Sequence, residues 1–352
     1  MRAIAVMTVL VAHCLPASSP QQAAGHYAVL VFFVHTALVL LCSLERQAGA
    51  PGLARRFYIQ RAFRIYPLSV LCVVVSLAFR ISWPEHVFTP PSTLSVAANL
   101  LLMQNLLHNP RSISVPLWSL PYEVQMYAVL PLVFWFIRKR GVLAAVSLAA
   151  ISVALPVAET LAQPIPGRAV TLFVPCFIGG ALAYCGYGAR LRLPWWLWPV
   201  VIAAVGVIYW GTGQNIYCEW LGCIALGLLV PVFQQSPNGV ITKSAAVVAR
   251  YSFGIYVSHA PLLWLCFQRL SGLSVVARWL LFATLICTTP VALYHLVEEP
   301  MIRVGKALSY RLFPLRQLHS EGEYLLGVES SPAVWSGNSA RSVGPKGRTY
   351  DQ

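Results

Sequence analysis

Apolar runs of 16 to 23 residues, separated by short polar or basic loops, follow one another along nearly the whole chain. They occupy roughly residues 2–17, 27–44, 65–82, 117–137, 142–158, 169–187, 195–211, 216–234, 252–270 and 275–297. A helix that crosses hydrocarbon needs about 20 mostly apolar residues, so the pattern predicts an all-α polytopic membrane protein with about ten transmembrane helices. The stretch 94–107, "LSVAANLLLMQNLL", is apolar but short and carries Asn99, Gln104 and Asn105. It reads as a re-entrant or interfacial helix that does not span. From about Leu318 the sequence is rich in Ser, Gly and Glu with no apolar period. The chain therefore divides into a membrane domain, 1–303, and a tail, 304–352, disordered after about residue 317.

Loop charge orients this arrangement. With the first loop end inside, 20 of the 25 Lys and Arg residues fall on the same side as the N-terminus and 5 on the other. That asymmetry places both termini in the cytoplasm. Making 94–107 a span would invert every later loop and put "RKR" (138–140) outside.

Composition agrees. Of 352 residues 58% are hydrophobic and 10% charged, with a mean hydropathy of +0.67, against about 25% charged in soluble domains. The net charge of +14 is accounted for by topology, and no basic run, zinc-finger spacing or basic helix points to nucleic acid. Nine cysteines include no CxxC pair; they read as buried small apolar residues, and no His/Cys cluster suggests a metal. His13 inside the first apolar run, and the runs that follow, argue against a cleaved signal peptide.

Polar groups at membrane depth are costly and mark cavities. Asp351 is the only aspartate, which excludes a Ser-His-Asp triad. In "RAIAVMTVLVAH", Arg2 and His13 are eleven residues apart, close to three helical turns, so they share one face at about 16 Å along the axis. A topological arginine with a structural histidine, and a functional pair, both fit that spacing. In "ARRFYIQRAFRIYP", Arg61 and Arg64 share a face with Arg55 and Arg56 nearby. Such guanidiniums suit a polyphosphate or lipid headgroups. In "VPLWSLPYEVQMYAVLP", Glu123 sits six residues inside its span, about 9 Å deep. Its partner is either a histidine, whose tautomer and basicity it would set, or an outer-loop arginine. His259 in "SFGIYVSHAPLL" either bonds to a neighbouring helix or lines a cavity. In "HLVEEPMIR", Glu298 and Glu299 suit inner-loop arginines such as Arg61 or Arg64.

Six stretches in one order, from Arg2 to Arg303, resemble the membrane acyltransferase-3 family: the Arg-x10-His of "RAIAVMTVLVAH", "FFV" (32–34), the RxxR of Arg61 and Arg64, "LWSLPYEVQMYAVLP", "SFGIYVSHAPL" and "VEEPMIR". The resemblance implies an O-acyltransferase of the cytoplasmic membrane. Its donor would be acyl-CoA, chiefly acetyl-CoA, taken from the cytoplasm, with no tightly bound cofactor and no metal. Its acceptor would be a hydroxyl of a surface or exported saccharide, with polysaccharide-assembly proteins as partners beside the membrane lipids. His13 would be catalytic as base or acyl carrier, aided by Glu123, with Arg2, Arg61 and Arg64 binding donor. His35, Thr36, Trp118, Ser119 and His259 complete the cavity candidates. Two departures stand out. Family members carry "DGLR" ahead of the first span, whereas this chain begins Met1–Arg2; an upstream start codon would restore the acid. The family's "FFxISG" reads "FFVHTA" here, so Thr36 keeps the hydroxyl, Ala37 replaces glycine and His35 is new. The rival readings are a transporter or flippase of a polar solute, a non-catalytic sensor, and an acyltransferase with a lipid, peptide or antibiotic acceptor.

Overall fold

The apolar runs fold as helices. A computed structural model describes residues 1–15, 19–82, 88–107, 112–162, 170–186, 192–235, 237 and 239–314, and the tail expected beyond residue 317 lies outside them. Among the described residues the elements are α1 (Arg2–Cys14), α2 (Ser19–Arg46), α3 (Leu53–Ala78), α4 (Thr93–Leu100), α5 (Leu120–Arg140), α6 (Val142–Ala162), α7 (Val174–Cys185), α8 (Leu197–Gly211), α9 (Ile216–Leu229), α10 (Val240–Leu263), α11 (Val275–Leu293) and α12 (Glu299–Leu312). Single π turns, Trp264–Arg269 and Tyr294–Glu298, extend α10 and α11. No strand forms among these residues beyond an isolated bridge between Leu193 and Phe233.

Five helical stretches are long and apolar enough to cross a membrane: Pro20–Arg46, Leu53–Ala78, Val115–Arg140, Val142–Ala162 and Val275–Leu312. Each of the ten predicted segments holds a helix, but α1, α7, α8 and α9 have only 12 to 15 residues, shorter than the apolar runs that contain them. Turns take up the difference: residues 170–173 turn into α7, and Val230–Val232 close α9 as a 3-10 turn. The segment 94–107 forms no long helix. Its helix, α4, has eight residues, about 12 Å of rise, and is followed by one 3-10 turn at Gln104–Leu106.

The outer faces are apolar. Leu132, Trp135, Leu143, Val207, Leu221 and Leu296 are each more than half exposed. An apolar surface this extensive requires a lipid solvent, and the chain is a multi-pass membrane protein. Inside, α7 is wedged between α2 and α9. Glycine permits that contact. A Cβ at Gly227 would lie 1.9 Å from the Gly179 carbonyl oxygen, and one at Gly180 would lie 2.3 Å from that of Val34. Small residues let membrane helices approach to backbone contact, where dispersion and weak polar contacts replace the missing hydrophobic drive.

Helix α12 carries the fold past residue 303, the expected domain end. Its buried face, Gly305 and Ser309, lies on α3, where Gln60 donates to the Ser309 hydroxyl at 2.9 Å. Its other face exposes Arg303, Lys306 and Arg311. This amphipathic strap braces the arginine-rich start of α3, where the Arg56 guanidinium stacks 4.5 Å from the Tyr310 ring.

Candidate active site

Helix α1 packs against α2 and α10, and its Arg2 and His13 reach two different places. At its start, Arg2 donates from Nε to the Ser252 hydroxyl of α10 at 2.6 Å and lies over the Phe32 ring of α2. There it borders a chamber of about 60 Å³ that is also lined by His35 and Thr36 from α2, Arg61 and Arg64 from α3, and Glu123 and Tyr127 from α5. The volume suits a few waters. Three guanidiniums and one carboxylate thus meet inside an otherwise apolar bundle. The RxxR spacing accounts for two of them, because residues three apart on a helix face the same way.

The carboxylates divide among these cations. Arg64 Nη2 lies 3.1 Å from Glu298 Oε1, a side chain with no exposure, which ties α3 to the π turn after α11. Glu299 instead serves its own helix, pairing with Arg303 at 2.8 Å and His295 at 3.0 Å. Glu123 is buried and accepts a hydrogen bond from the Tyr127 hydroxyl one turn along α5. The spacing "EVQMY" puts these two groups on one face, and Tyr127 is a chamber residue the sequence reading passed over. Glu123 also borders a second, smaller cavity of about 30 Å³ with Val9, Ser119, Ser252 and Tyr256. There the Ser119 and Tyr256 hydroxyls share a hydrogen bond of 2.8 Å. Glu123, Phe32 and Phe253 line both cavities and so form the partition between them.

His13 lies at the other end of α1 and lines neither of these cavities. Its Nδ1 is 2.8 Å from the Val9 carbonyl. A carbonyl only accepts, so in the neutral ring the proton sits on Nδ1 and Nε2 keeps its lone pair. His259 of α10 faces it, with ring centroids 5.0 Å apart at 56°. His259 is 1% exposed and its Nδ1 donates to the Tyr256 carbonyl at 2.7 Å. Its Nε2 has no hydrogen-bond partner among the described residues. The two imidazoles therefore sit side by side, each held through Nδ1 by a carbonyl of its own helix.

The sequence-predicted residues thus fall into four places. Arg2, His35, Thr36, Arg61, Arg64 and Glu123 gather in the chamber; His13 and His259 pair; Ser119 joins the small cavity. Trp118 points elsewhere, stacking on His26 at 5.3 Å. The carboxylate–imidazole pairing expected for Glu123 is found between other residues: His26 Nε2 lies 3.0 Å from Glu219 Oε1. Both were legible as ionisable groups at the ends of apolar runs, His26 just before 27–44 and Glu219 near the start of 216–234. Among the described residues no three His, Cys, Asp or Glu side chains gather as metal ligands.

An arginine chamber and a histidine pair at the two ends of one short helix match the order of motifs read from the sequence. The family model Acyl_transf_3, described as an acyltransferase domain, matches residues 1–297. The chain belongs to the acyltransferase-3 family. No curated protein and no solved structure matches the chain. The matched residues run from α1 into the π turn after α11, so every chamber residue and the His13–His259 pair of this membrane acyltransferase lie within the family domain; Glu298, the partner of Arg64, is one residue beyond it.

Proposed function

We propose that this acyltransferase carries an acyl group, acetyl in the simplest case, from cytoplasmic acyl-CoA to a hydroxyl of a surface or exported saccharide. In this reading all ten apolar segments span the cytoplasmic membrane, both termini face the cytoplasm, and the arginine chamber opens to the donor side. The observation that carries it is the placement of Arg2 and His13 on one helix: a guanidinium in a cationic chamber at one end, and about 16 Å further along an imidazole paired with a second one.

Arg2, Arg61 and Arg64 supply planar donor forks suited to the phosphates of coenzyme A. The thioester then reaches toward His13. Its Nε2 lone pair takes the proton from an acceptor hydroxyl as that oxygen bonds to the thioester carbonyl carbon. The C–S bond breaks, and the departing thiolate recovers the proton from the imidazolium. In the two-step variant Nε2 first bonds the acyl carbon itself and passes it on; either route uses the same nitrogen. The chamber is small, so the donor arm requires side-chain movement at the partition formed by Phe32, Glu123 and Phe253.

An apolar groove of about 540 Å³ runs beside α1, lined among others by Met7, Val11, Leu15, Ala24 and Val248. It favours a second form of the acceptor, a saccharide carried on a lipid. The testing experiment uses membrane vesicles of both orientations with labelled acetyl-CoA added outside. Transfer to saccharide from inside-out vesicles alone is expected. Equal transfer from right-side-out vesicles overturns the donor assignment.

A further inference from the structure

A second polar cluster sits at the end of the bundle where α1 gives way to α2. His26 lies in the second turn of α2, Glu219 in the first turn of α9, Tyr209 in the last turn of α8, Trp118 just before α5 and Phe173 just before α7. Five chain segments bring these side chains together. Glu219 Oε1 accepts from the Tyr209 hydroxyl at 2.9 Å and is 3.0 Å from His26 Nε2. Its other oxygen, Oε2, is buried and has no hydrogen-bond partner among the described residues. Glu219 is 7% exposed. The His26 ring is nearly parallel to Trp118, at 5.3 Å and 11°, with Phe173 inclined to it at 6.0 Å. The His26 side chain keeps 30% of its surface open.

The α2 backbone next to the cluster packs on His13. The residue before His26, Gly25, carries no Cβ, and one placed there would stand 3.8 Å from His13 Cε1 and 3.1 Å from Ala12 Cβ. A pure helix-to-helix tie would satisfy both carboxylate oxygens, since a buried acceptor left open is costly. Here one oxygen carries two donors and the other carries none. Glu219 Oε2 is thus a buried acceptor open to a further hydrogen-bond donor. The aromatic walls add a preference for a ligand with apolar ring faces.

We infer that His26, Glu219 and Trp118 form a binding subsite for the acceptor sugar ring, with Glu219 Oε2 accepting from a ring hydroxyl and Trp118 covering a ring face, so that a neighbouring hydroxyl is held toward His13. The inference rests on the saccharide reading above and specifies where the sugar binds. It separates donor and acceptor machinery: the arginines are at one end of α1, and this carboxylate is at the other.

The test measures acyl transfer from acetyl-CoA to aryl glycosides of hexoses and N-acetylhexosamines, in purified wild-type, Glu219→Gln and His26→Asn proteins. Calorimetric binding of the same glycosides is measured alongside. In Glu219→Gln the amide oxygen can still serve Tyr209 and His26, but an NH2 replaces the open acceptor. Acceptor KM is expected to rise roughly 10- to 100-fold, the scale of a lost hydrogen bond to a charged group, with donor KM within twofold. A normal donor KM also shows that the variant is folded; His26→Asn, which leaves the buried carboxylate in place, supplies the same reading if Glu219→Gln does not fold. Wild-type transfer with the same acceptor KM in the folded variants overturns the subsite and leaves the proposed reaction standing. No wild-type transfer to any glycoside overturns the proposed reaction. The binding data then decide the subsite: glycoside binding lost in the folded variants supports it, and absent or unchanged binding overturns it.

Discussion

The rings of His13 and His259 lie 5.0 Å apart, one from the end of α1 and one from near the C-terminal end of α10. Each ring is held by a backbone carbonyl at Nδ1, of Val9 and Tyr256 respectively. The second imidazole therefore fixes the packing of the first and leaves a lone pair beside it. Replacing His259 with Ala opens a gap against His13 and frees its ring to turn. Turnover is expected to fall on the order of 10- to 100-fold, within the range of general acid–base contributions, with donor KM little changed. The kcat and KM of purified enzyme, measured separately, check this. Equal loss in both would instead place His259 in donor binding.

Arg64 and Glu298 join stability to the proposed donor site. Glu298 has no side-chain exposure and Arg64 only 23%. Removing one member of such a pair strands a buried charge at a cost of about 3–5 kcal/mol, whereas replacing both by apolar residues is often neutral. Glu298→Leu alone is expected to lower the melting temperature in detergent sharply. Arg64→Met with Glu298→Leu should restore most of it, while donor affinity stays weak because the guanidinium is gone. Stability and affinity returning together would remove Arg64 from the donor site.

The α7–α9 contact depends on the absence of a side chain. A Cβ on Gly227 would also stand 2.7 Å from the Gly179 Cα, backbone that has no room to yield. Gly227→Val is expected to cost at least the 1–3 kcal/mol typical of overpacking, seen as a large fall in melting temperature or loss of folded protein. Gly211→Ala, at the end of α8 with nothing within 4 Å of its added carbon, is expected to be neutral or stabilising by up to about 1 kcal/mol. Thermal denaturation of both variants beside the parent protein tests the contact.

What the sequence made legible was set by local rules. Run length located a helix in every predicted segment, and the shortness of 94–107 matched the eight residues of α4. Helical spacing put Arg61 beside Arg64 and made Tyr127 a neighbour of Glu123. What it left open depends on contacts between distant segments. The packing of α7 between α2 and α9 is one such contact. The choice of histidine for each carboxylate is likewise tertiary: Glu123 meets Tyr127, while Glu219, 193 residues along from His26, takes the imidazole. The signal for that pair was present, as two ionisable residues near the ends of apolar runs that meet at the same side of the bundle.

The most direct measurement is acyl transfer by purified His13→Ala protein, reconstituted with labelled acetyl-CoA and a saccharide acceptor, beside the parent enzyme at matched folded concentration. Arg2 and the chamber lie about 16 Å away along α1, so donor binding should persist. Transfer is expected to fall by 10²-fold or more, the scale of a lost acid–base group. Transfer at the parent rate with donor binding intact would contradict a catalytic His13.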